Sequence, residues 1–448
     1  MRISLPESRR GVLAWLALTV FACYLNALPG DFQFDDYKVI VDNPRVHSWS
    51  SWMEGLGLGI RPLLKFSYLL NWTSGLGVAG FHLTNLLIHL CNAYLVYRLA
   101  SEFVNQQPLR ERLKEAPLFA ALLFAAHPIH TETVTYICGR STSLMTLLYL
   151  AGLLAYVTGR TRQNKLFLYV VAPLMFVLAL SVKETAVTFP LALLAWELCC
   201  GGTWKTSLRQ QWPCWAVLLL GALFFLFNDN YVGQMERSTK LNSMQGNAAT
   251  QIFAFSYLMR QWALPLWLNI DPDLPLLHDA AGITLPLIFF IAVCALMLAC
   301  RRRRPWIGFA LAWAMIQLIP LHLFLPRLDV ANDRQMLLAG WPLFLALAAE
   351  MALWMSTRTL RIAAPALLLV LACLTVLRNQ AYTNEIALWE DTVKQSPHKA
   401  RAHNNLGYAY MLAHRNEEAR REYTIALQLD PHHIKARNNL ERLNGQQI

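Results

Sequence analysis

The sequence predicts an all-α polytopic membrane protein that carries a short helical-repeat segment at its C-terminal end. Of its 448 residues, 56% are hydrophobic and only 15% are charged, and the mean hydropathy is positive. This is more apolar surface than one soluble core can bury. Apolar stretches close to the ~20 residues that a bilayer requires also recur along the chain. Basic residues collect in alternate loops between these stretches, as the loops of polytopic proteins do.

Eleven apolar stretches are predicted to cross the membrane, and we expect about eleven transmembrane helices from them. They cover residues 12–27, 78–97, 117–126, 143–158, 166–181, 186–200, 212–228, 282–300, 306–320, 336–354 and 362–377. A further apolar stretch, 252–268, is predicted to be re-entrant or interfacial. A crossing there would move the next basic loop to the opposite side of the membrane.

The basic loops set the predicted orientation, because short cytoplasmic loops retain Lys and Arg. Three arginines precede the first stretch, and the later basic loops contain Arg98, Arg110, Arg112 and Lys114; Arg160, Arg162 and Lys165; Lys205 and Arg209; Arg301 to Arg304; and Arg358 with Arg361. We predict a bacterial inner-membrane protein with the 30–77 loop and the C-terminus on the periplasmic side. The net charge of +11 then reflects topology and anionic membrane lipids rather than nucleic acid.

An acidic pair opens the first long outer loop. The stretch FQFDDYKVIVDNP, residues 32–44, places Asp35 and Asp36 close to the membrane surface. A carboxylate at this depth can face a polar cavity without the cost of crossing hydrocarbon. A turn rich in Asp and Asn is the simpler alternative.

Four further polar clusters fall on the same predicted side. They are His82, Asn85 and His89 in FHLTNLLIH; His127, His130, Glu132 and Arg140 in AAHPIHTETVTYICGRS; Lys183 and Glu184 in SVKETA; and Arg327, Asp329, Asp333 and Arg334 in RLDVANDRQ. Carboxylates and cations together on one face suggest a cavity for an anionic, lipid-linked substrate.

Each cluster also has a structural alternative. The stripe that begins at His82 suits hydrogen bonding between helices, and Lys183 with Glu184 suits an interfacial pair. His127 and His130 lack the i, i+4 spacing of helical zinc ligands, so the sequence gives little support to a zinc site. The nine cysteines lie mostly in apolar stretches and are interpreted as small hydrophobic residues.

The C-terminal segment carries the pattern of one tetratricopeptide repeat. In ARAHNNLGYAYMLAHRNEEARREYTIALQLDP the pattern residues are Leu406, Gly407, Tyr410, Ala419, Tyr423, Ala426 and Pro431. Half-repeats flank it, so we divide the chain into a membrane domain, 1–378, and a repeat domain, 379–448. One complete repeat cannot bury a solenoid core alone, and it must lean on the membrane domain or on a partner.

Taken in order, FDDYKVIVDNP, RPL at 61–63, FHLTNLLIH, AAHPIHTETVTYICGRS, SVKETA, LPLWLNIDPDLP and NDRQMLLAGWP resemble the transmembrane-and-tetratricopeptide O-mannosyltransferase-like proteins. These are glycosyltransferases of the GT-C fold. The resemblance implies a catalytic membrane domain that transfers a sugar, with inversion, from a polyprenyl-phosphate donor. The acceptor would be a hydroxyl, such as that of a protein Ser or Thr, at the outer face of the membrane.

The resemblance also implies roles for individual residues. Asp35 would be the base that takes the acceptor proton, and Asp36 would orient it. Arg334 would bind the donor phosphate, with Arg140 and Lys183 as further candidates. The remaining cavity candidates are Arg61, His82, His89, His127, His130, Glu132 and Glu184. No cofactor is certain, and a divalent cation bridging the Asp pair stays open.

Two other functions also stay open from the sequence. One is a non-catalytic membrane scaffold for envelope assembly, and the other is the same chemistry on a lipid or glycan acceptor. The expected partners are the polyprenyl-phosphate sugar donor, membrane lipids and a protein acceptor bound by the repeat segment. If the repeat only binds the acceptor, removing it should raise the acceptor KM and leave donor chemistry intact.

Overall fold

A computed structural model describes residues 8–56, 60–227, 233, 244–274, 280–319 and 330–445. These described residues form helices and contain no strand. The α-helices are α1 Arg9–Tyr24, α2 Trp49–Glu54, α3 Pro62–Ser74, α4 Gly77–Asn105, α5 Ala116–Ala126, α6 Thr131–Val134, α7 Arg140–Thr161, α8 Ala172–Val182, α9 Phe189–Cys199, α10 Trp204–Phe227, α11 Met244–Ala263, α12 Ala280–Cys300, α13 Pro305–Leu318, α14 Met336–Trp354, α15 Thr357–Asn379, α16 Glu385–Gln395, α17 Ala400–Leu412, α18 Asn416–Leu429 and α19 Ile434–Gly445.

Among the described residues, five helical segments are long and apolar enough to cross a membrane. They are Arg9–Ala27, Ile137–Thr161, Ile283–Cys300, Asp333–Trp354 and Thr357–Tyr382. Three shorter apolar helices cover Ala116–Ala126, Phe167–Val182 and Pro305–Leu318. All eight coincide with predicted crossings. The all-α polytopic class is therefore confirmed and the chain is an integral membrane protein, while the number of crossings stays a prediction.

Two of the basic loops contact the end of α14, at one end of the helix bundle. Arg112, between α4 and α5, donates from Nη2 to the carbonyl of Leu353 near the end of α14, at 3.3 Å. Arg304, between α12 and α13, pairs with Glu350 of α14 at 3.1 Å. The contacts place these loops on one side of the bundle, as the distribution of basic residues predicts.

The opposite end joins the first and last helices of the bundle. Asn379, at the end of α15, donates from Nδ2 to the carbonyl of Cys23 at 2.8 Å and to Oδ1 of Asn26 at 2.7 Å. Thr135, just after α6, donates to Oδ1 of Asn379 at 2.8 Å. The start of the 30–77 loop, which contains Asp35 and Asp36 and is called the acidic loop below, consequently lies beside the start of the repeat segment at residue 379.

The repeat segment forms a small helical unit with its own apolar core. Buried residues from α16 to α19, among them Trp389, Leu406, Tyr410 and Tyr423, make up that core. Gly407 lets α17 and α18 approach closely, since a Cβ atom there would lie 2.8 Å from the Tyr423 ring. The pattern glycine of the repeat therefore has a packing role.

Hydrogen bonds join this unit to the segment between α11 and α12. Ser396 accepts a hydrogen bond from Asn269 Nδ2 at 2.7 Å and from the amide of Asp273 at 3.0 Å. Its hydroxyl donates to the carbonyl of Asp271 at 3.1 Å. Lys399 Nζ reaches the carbonyl of Pro272 at 2.7 Å. The small repeat unit thus leans on the membrane domain.

Candidate active site

A cleft of about 320 Å³ opens between the acidic loop, the α5–α7 hairpin, the segment before α14 and the repeat segment. Its lining residues are Phe34, Asp35, Glu132, Tyr136, Ile270, Asp271, Arg334, Trp389 and Arg401. Three carboxylates and two guanidinium groups therefore face one small space, together with aromatic side chains. The structure brings together Asp35, Glu132 and Arg334, which the sequence analysis placed in one cavity.

The backbone turns sharply just before Asp35. Phe34 has a φ of 48°, in the left-handed region that bulky residues rarely adopt. Its ring packs edge-on against Trp389, with the ring centroids 5.1 Å apart. The amide of Asp35 donates to Tyr136 Oη at 3.1 Å. Such backbone strain is typical of functional sites, where the surrounding contacts hold it in place.

Asp36 is not among the residues that line the cleft, and it is almost completely buried, at 1% exposure. One carboxyl oxygen accepts a hydrogen bond from the amide of Gln33 at 3.0 Å, and the other accepts from the amide of Cys138 at 2.9 Å. Asp36 therefore links the acidic loop to the α5–α7 hairpin. That Asp36 orients Asp35, as the resemblance implies, stays a prediction.

The α5–α7 hairpin is compact because of one glycine. A Cβ atom at Gly139 would lie 2.4 Å from the carbonyl oxygen of Glu132 and 2.8 Å from that of Thr133, distances that a real Cβ does not show. Gly139 thereby allows the chain to fold back over Glu132. The same hairpin supplies the Cys138 amide to Asp36 and the Tyr136 hydroxyl to Asp35.

Arg334 is held in the cleft by a buried carboxylate. Its amide donates to Glu132 Oε2 at 3.0 Å, and its Nε lies 3.5 Å from Glu132 Oε1. The Glu132 side chain is 1% exposed and that of Arg334 is 22% exposed. Preceding it, Asp333 accepts a hydrogen bond from the amide of Asn269 at 3.0 Å. Glu132 thus orients the guanidinium of Arg334, which lines the cleft.

A second arginine enters the cleft from the repeat segment. Arg401, in the first turn of α17, donates from Nε to Asp271 Oδ2 at 2.7 Å and from Nη2 to Asp271 Oδ1. Lys399 also forms an ion pair with Asp271. The carboxylate of Asp271 is 5% exposed. The cleft therefore contains two arginines, each resting on its own buried carboxylate.

Arg140 lies inside the helix bundle and is not among the residues that line the cleft. Its guanidinium donates to Asn85 Oδ1 at 2.7 Å, to Asn71 Oδ1 at 2.6 Å, and to the carbonyls of Ser67 and Phe81 at 3.1 and 2.9 Å. The side chain is completely buried. In this structure Arg140 ties α3, α4 and α7 together.

The other predicted cations pair away from the cleft. Lys183 donates from Nζ to Thr142 Oγ1 at 2.7 Å and is buried. Arg61 forms a two-pronged ion pair with Glu184, with Nη2 at 2.9 Å from both carboxylate oxygens. Arg61 also has a left-handed backbone, with φ of 59°. These residues brace the start of α3 against the α8–α9 turn.

The four histidines that the sequence analysis named as cavity candidates lie in the interior of the bundle. His82 is hydrogen bonded to the carbonyl of Gly30 at 3.3 Å and His89 to that of Ala125 at 3.2 Å. His127 Nδ1 accepts from the amide of Ile129 at 3.3 Å, and His130 is fully buried near Phe124. Within the described ranges, no group of three or more His, Cys, Asp or Glu residues could hold a metal ion.

The sequence analysis did not name some residues that line the cleft, and some residues that it did name lie outside the described ranges. Tyr136 and Asp271 stand within the motifs that carry the family resemblance, so those motifs contained the signal. Trp389 and Arg401 had no comparable signal, since the repeat was treated as a separate unit. The predicted cluster members Arg327 and Asp329 lie outside the described residues.

Burial gives Asp36 a measurable effect on stability. This loop residue lies outside the membrane-spanning segments, and burial raises its pKa to about 7 despite the two amide hydrogen bonds. Between about pH 4 and pH 7 the unfolded chain has lost this proton while the native chain still holds it. Raising the pH through this window should therefore destabilise the native state by about 1.4 kcal/mol per pH unit.

The prediction can be tested by following the melting temperature of the purified protein from pH 5 to pH 8. Asp36→Asn should remove the part of the slope that belongs to this group. The variant is also expected to melt lower at pH 5, because an amide cannot accept from both backbone donors. Asp42→Asn, at an exposed position of the same loop, is the control and should retain the wild-type slope. Parallel slopes in wild type and Asp36→Asn would contradict the assignment.

Comparison with known proteins finds several protein O-mannosyl-transferases among the relatives of this chain. Protein O-mannosyl-transferase F38B6.6 of Caenorhabditis elegans is 24% identical over 94% of this chain. Human protein O-mannosyl-transferase TMTC1 is 26% identical over 98% of it. Drosophila melanogaster protein O-mannosyl-transferase Tmtc1 is 32% identical over 44% of it and 24% of the relative.

The chain spans about three fifths of the first two relatives, 63% and 58% of their lengths. No protein-family model matches the chain. No solved structure matches it either. The two long alignments cover nearly the whole chain. The family resemblance found in the motifs is confirmed: the chain is similar along its length to transmembrane-and-tetratricopeptide O-mannosyltransferase-like proteins.

Proposed function

We propose that this protein is a membrane glycosyltransferase that transfers mannose from a polyprenyl-phosphate donor to a Ser or Thr hydroxyl of a protein acceptor. The relatives are named protein O-mannosyl-transferases, which supports the sugar and the acceptor class. The observation that carries the proposal is the cleft itself, in which the Asp35 carboxylate and the Arg334 guanidinium line one space.

The two groups suit the two ends of a glycosyl transfer. The acceptor oxygen attacks the anomeric carbon as the bond from that carbon to the lipid phosphate breaks. Asp35 takes the proton of the acceptor hydroxyl, which is far too weak an acid to lose it unaided at neutral pH. Arg334 binds the departing phosphate, which needs a cation rather than a proton donor. Attack opposite the leaving group inverts the configuration at the anomeric carbon.

The position of the cleft suits a lipid-linked donor, since Asp35 follows α1 by a short loop and Arg334 directly precedes α14.

A reconstituted assay tests the proposal. The purified protein in nanodiscs is incubated with polyprenyl-phosphate mannose and a Ser/Thr-rich peptide, and the peptide mass is measured. We expect a gain of one hexose per modified site. Parallel arms with a lipid and a glycan acceptor identify a different acceptor class. A folded protein that neither transfers nor hydrolyses the donor in any arm would overturn the proposal in favour of a scaffold.

The role of Arg334 gives a separate prediction. Arg334→Ala should weaken donor binding and lower turnover by about 10²-fold or more, the usual cost of losing one preorganised charge donor. Arg334→Lys should recover only part of this loss, because an ammonium cannot reproduce the two-pronged contact of a guanidinium. Turnover and donor KM in the reconstituted assay decide the matter. Full recovery with Lys, or wild-type activity with Ala, would make Arg334 a structural anchor.

A further inference from the structure

We propose that the repeat segment completes the donor site: Arg401, together with Arg334, binds the phosphate of the lipid-linked donor. The inference rests on the proposed function, because it adds a residue to the same site. It also changes the part assigned to the repeat. A segment expected to present the acceptor would take part directly in the departure of the lipid phosphate.

The first step of the argument is the matched environment of the two arginines. Both line the cleft with Asp35. Arg334 rests on Glu132, whose side chain is 1% exposed, and Arg401 rests on Asp271, whose side chain is 5% exposed. The arginine side chains themselves are 22% and 32% exposed. In each pair the carboxylate is buried and fixes a guanidinium that remains accessible from the cleft.

The second step concerns the charge that develops in the reaction. The donor is a phosphodiester with one negative charge, whereas the departing lipid phosphate is a monoester that carries about −1.5 to −2 at neutral pH. One arginine matches the charge of the bound donor. A second matches the charge that appears only as the bond breaks, and interactions of this kind accelerate the chemical step.

The third step separates this role from simple docking. Asp271 receives two cations from the repeat, Lys399 and Arg401, so the ion pair that docks the segment is duplicated. Of the two, only Arg401 lines the cleft. Trp389, from the preceding helix α16, lines the same space and packs on Phe34 next to Asp35. The repeat segment therefore lines the cleft as far as Phe34, the residue beside the proposed base Asp35.

The test compares two probes of equal chain length, polyprenyl phosphate and the uncharged polyprenol, bound to the full-length protein in detergent. The ratio of their affinities reports on phosphate recognition alone. Arg401→Gln should weaken polyprenyl phosphate by about tenfold or more, as expected for the loss of a charge-assisted hydrogen bond. Arg401→Gln should change the affinity for polyprenol by no more than about twofold, because polyprenol has no phosphate for Arg401 to bind. Arg401→Lys should give an intermediate ratio.

Two variants serve as matched controls. Lys399→Gln removes the other cation on Asp271 and should leave the ratio unchanged, and so should Arg421→Gln at an exposed position of α18. An unchanged ratio in Arg401→Gln, whether both affinities stay the same or fall equally, would overturn the inference. Arg401 would then only dock the repeat segment. If the wild-type protein itself does not distinguish the two probes, it is the polyprenyl-phosphate donor of the proposed function that fails.

Discussion

Replacing Asp35 by Asn is expected to lower the rate of sugar transfer by about 10²- to 10⁴-fold, the range over which general bases contribute. The amide has the size of the carboxylate but cannot take the proton of the acceptor hydroxyl. Donor binding should change little, because we propose that Arg334 and Arg401, not Asp35, bind the phosphate. The measurement is turnover in the reconstituted assay, accompanied by the affinity for polyprenyl phosphate.

The matched control is Asp42→Asn, which alters an exposed carboxylate of the same loop and should retain wild-type turnover. Asp36→Asn should be less severe than Asp35→Asn, since Asp36 is buried and is not among the residues that line the cleft. A chelator such as EDTA adds a further arm: loss of activity on its addition would indicate a cation bridging the pair. Near-normal turnover in a folded Asp35→Asn protein would remove Asp35 from the mechanism.

Truncation after Thr383 is the second change with a large expected effect. It retains α1 to α15 and the contacts of Tyr382 and Thr383 with the acidic loop, but removes Trp389 and Arg401 from the cleft. We expect donor hydrolysis and transfer to a short peptide both to fall by about 10²-fold or more, because a charge donor is lost and water enters the site. The sequence alone led to the opposite expectation, that donor chemistry would survive.

A second truncation, after Asp430, serves as the control. It removes α19 but retains α16 to α18 and with them both cleft residues, so most of the donor hydrolysis should remain. Size-exclusion profiles and melting curves establish that both shortened proteins fold. If the protein ending at Thr383 is folded and hydrolyses donor at the wild-type rate, the repeat segment is no part of the donor site.

The fold could be predicted further than the site. Apolar length and the spacing of basic residues are properties of local sequence, and they located the membrane helices. The predicted topology placed Asp35 and Arg334 on one side of the membrane, and the family resemblance assigned their roles, because nothing local to either motif fixes their separation. Arg140 illustrates the limit: a lone arginine beside outer polar residues suggests a ligand site, yet its hydrogen bonds to Asn71 and Asn85 bury it between helices.

The contribution of the repeat could not be predicted for a related reason. A tetratricopeptide pattern reports how its own helices pack, through residues such as Gly407 and Tyr423. It contains no information on which surface the unit rests against. That surface is set by Asp271 and Ser396, whose pairing joins segments more than a hundred residues apart. Only the three-dimensional arrangement shows that Arg401 faces the same space as Arg334.

The contact between Gln33 and the carbonyl of Tyr382, at 2.6 Å, joins residues 349 positions apart and has a consequence for the timing of biogenesis. At the usual 5–20 residues per second of synthesis, about 20 to 70 seconds separate the emergence of the two partners from the ribosome. During that interval the acidic loop lacks the side of the cleft that Trp389 and Arg401 supply. The cleft can therefore be completed only after the repeat segment has been translated.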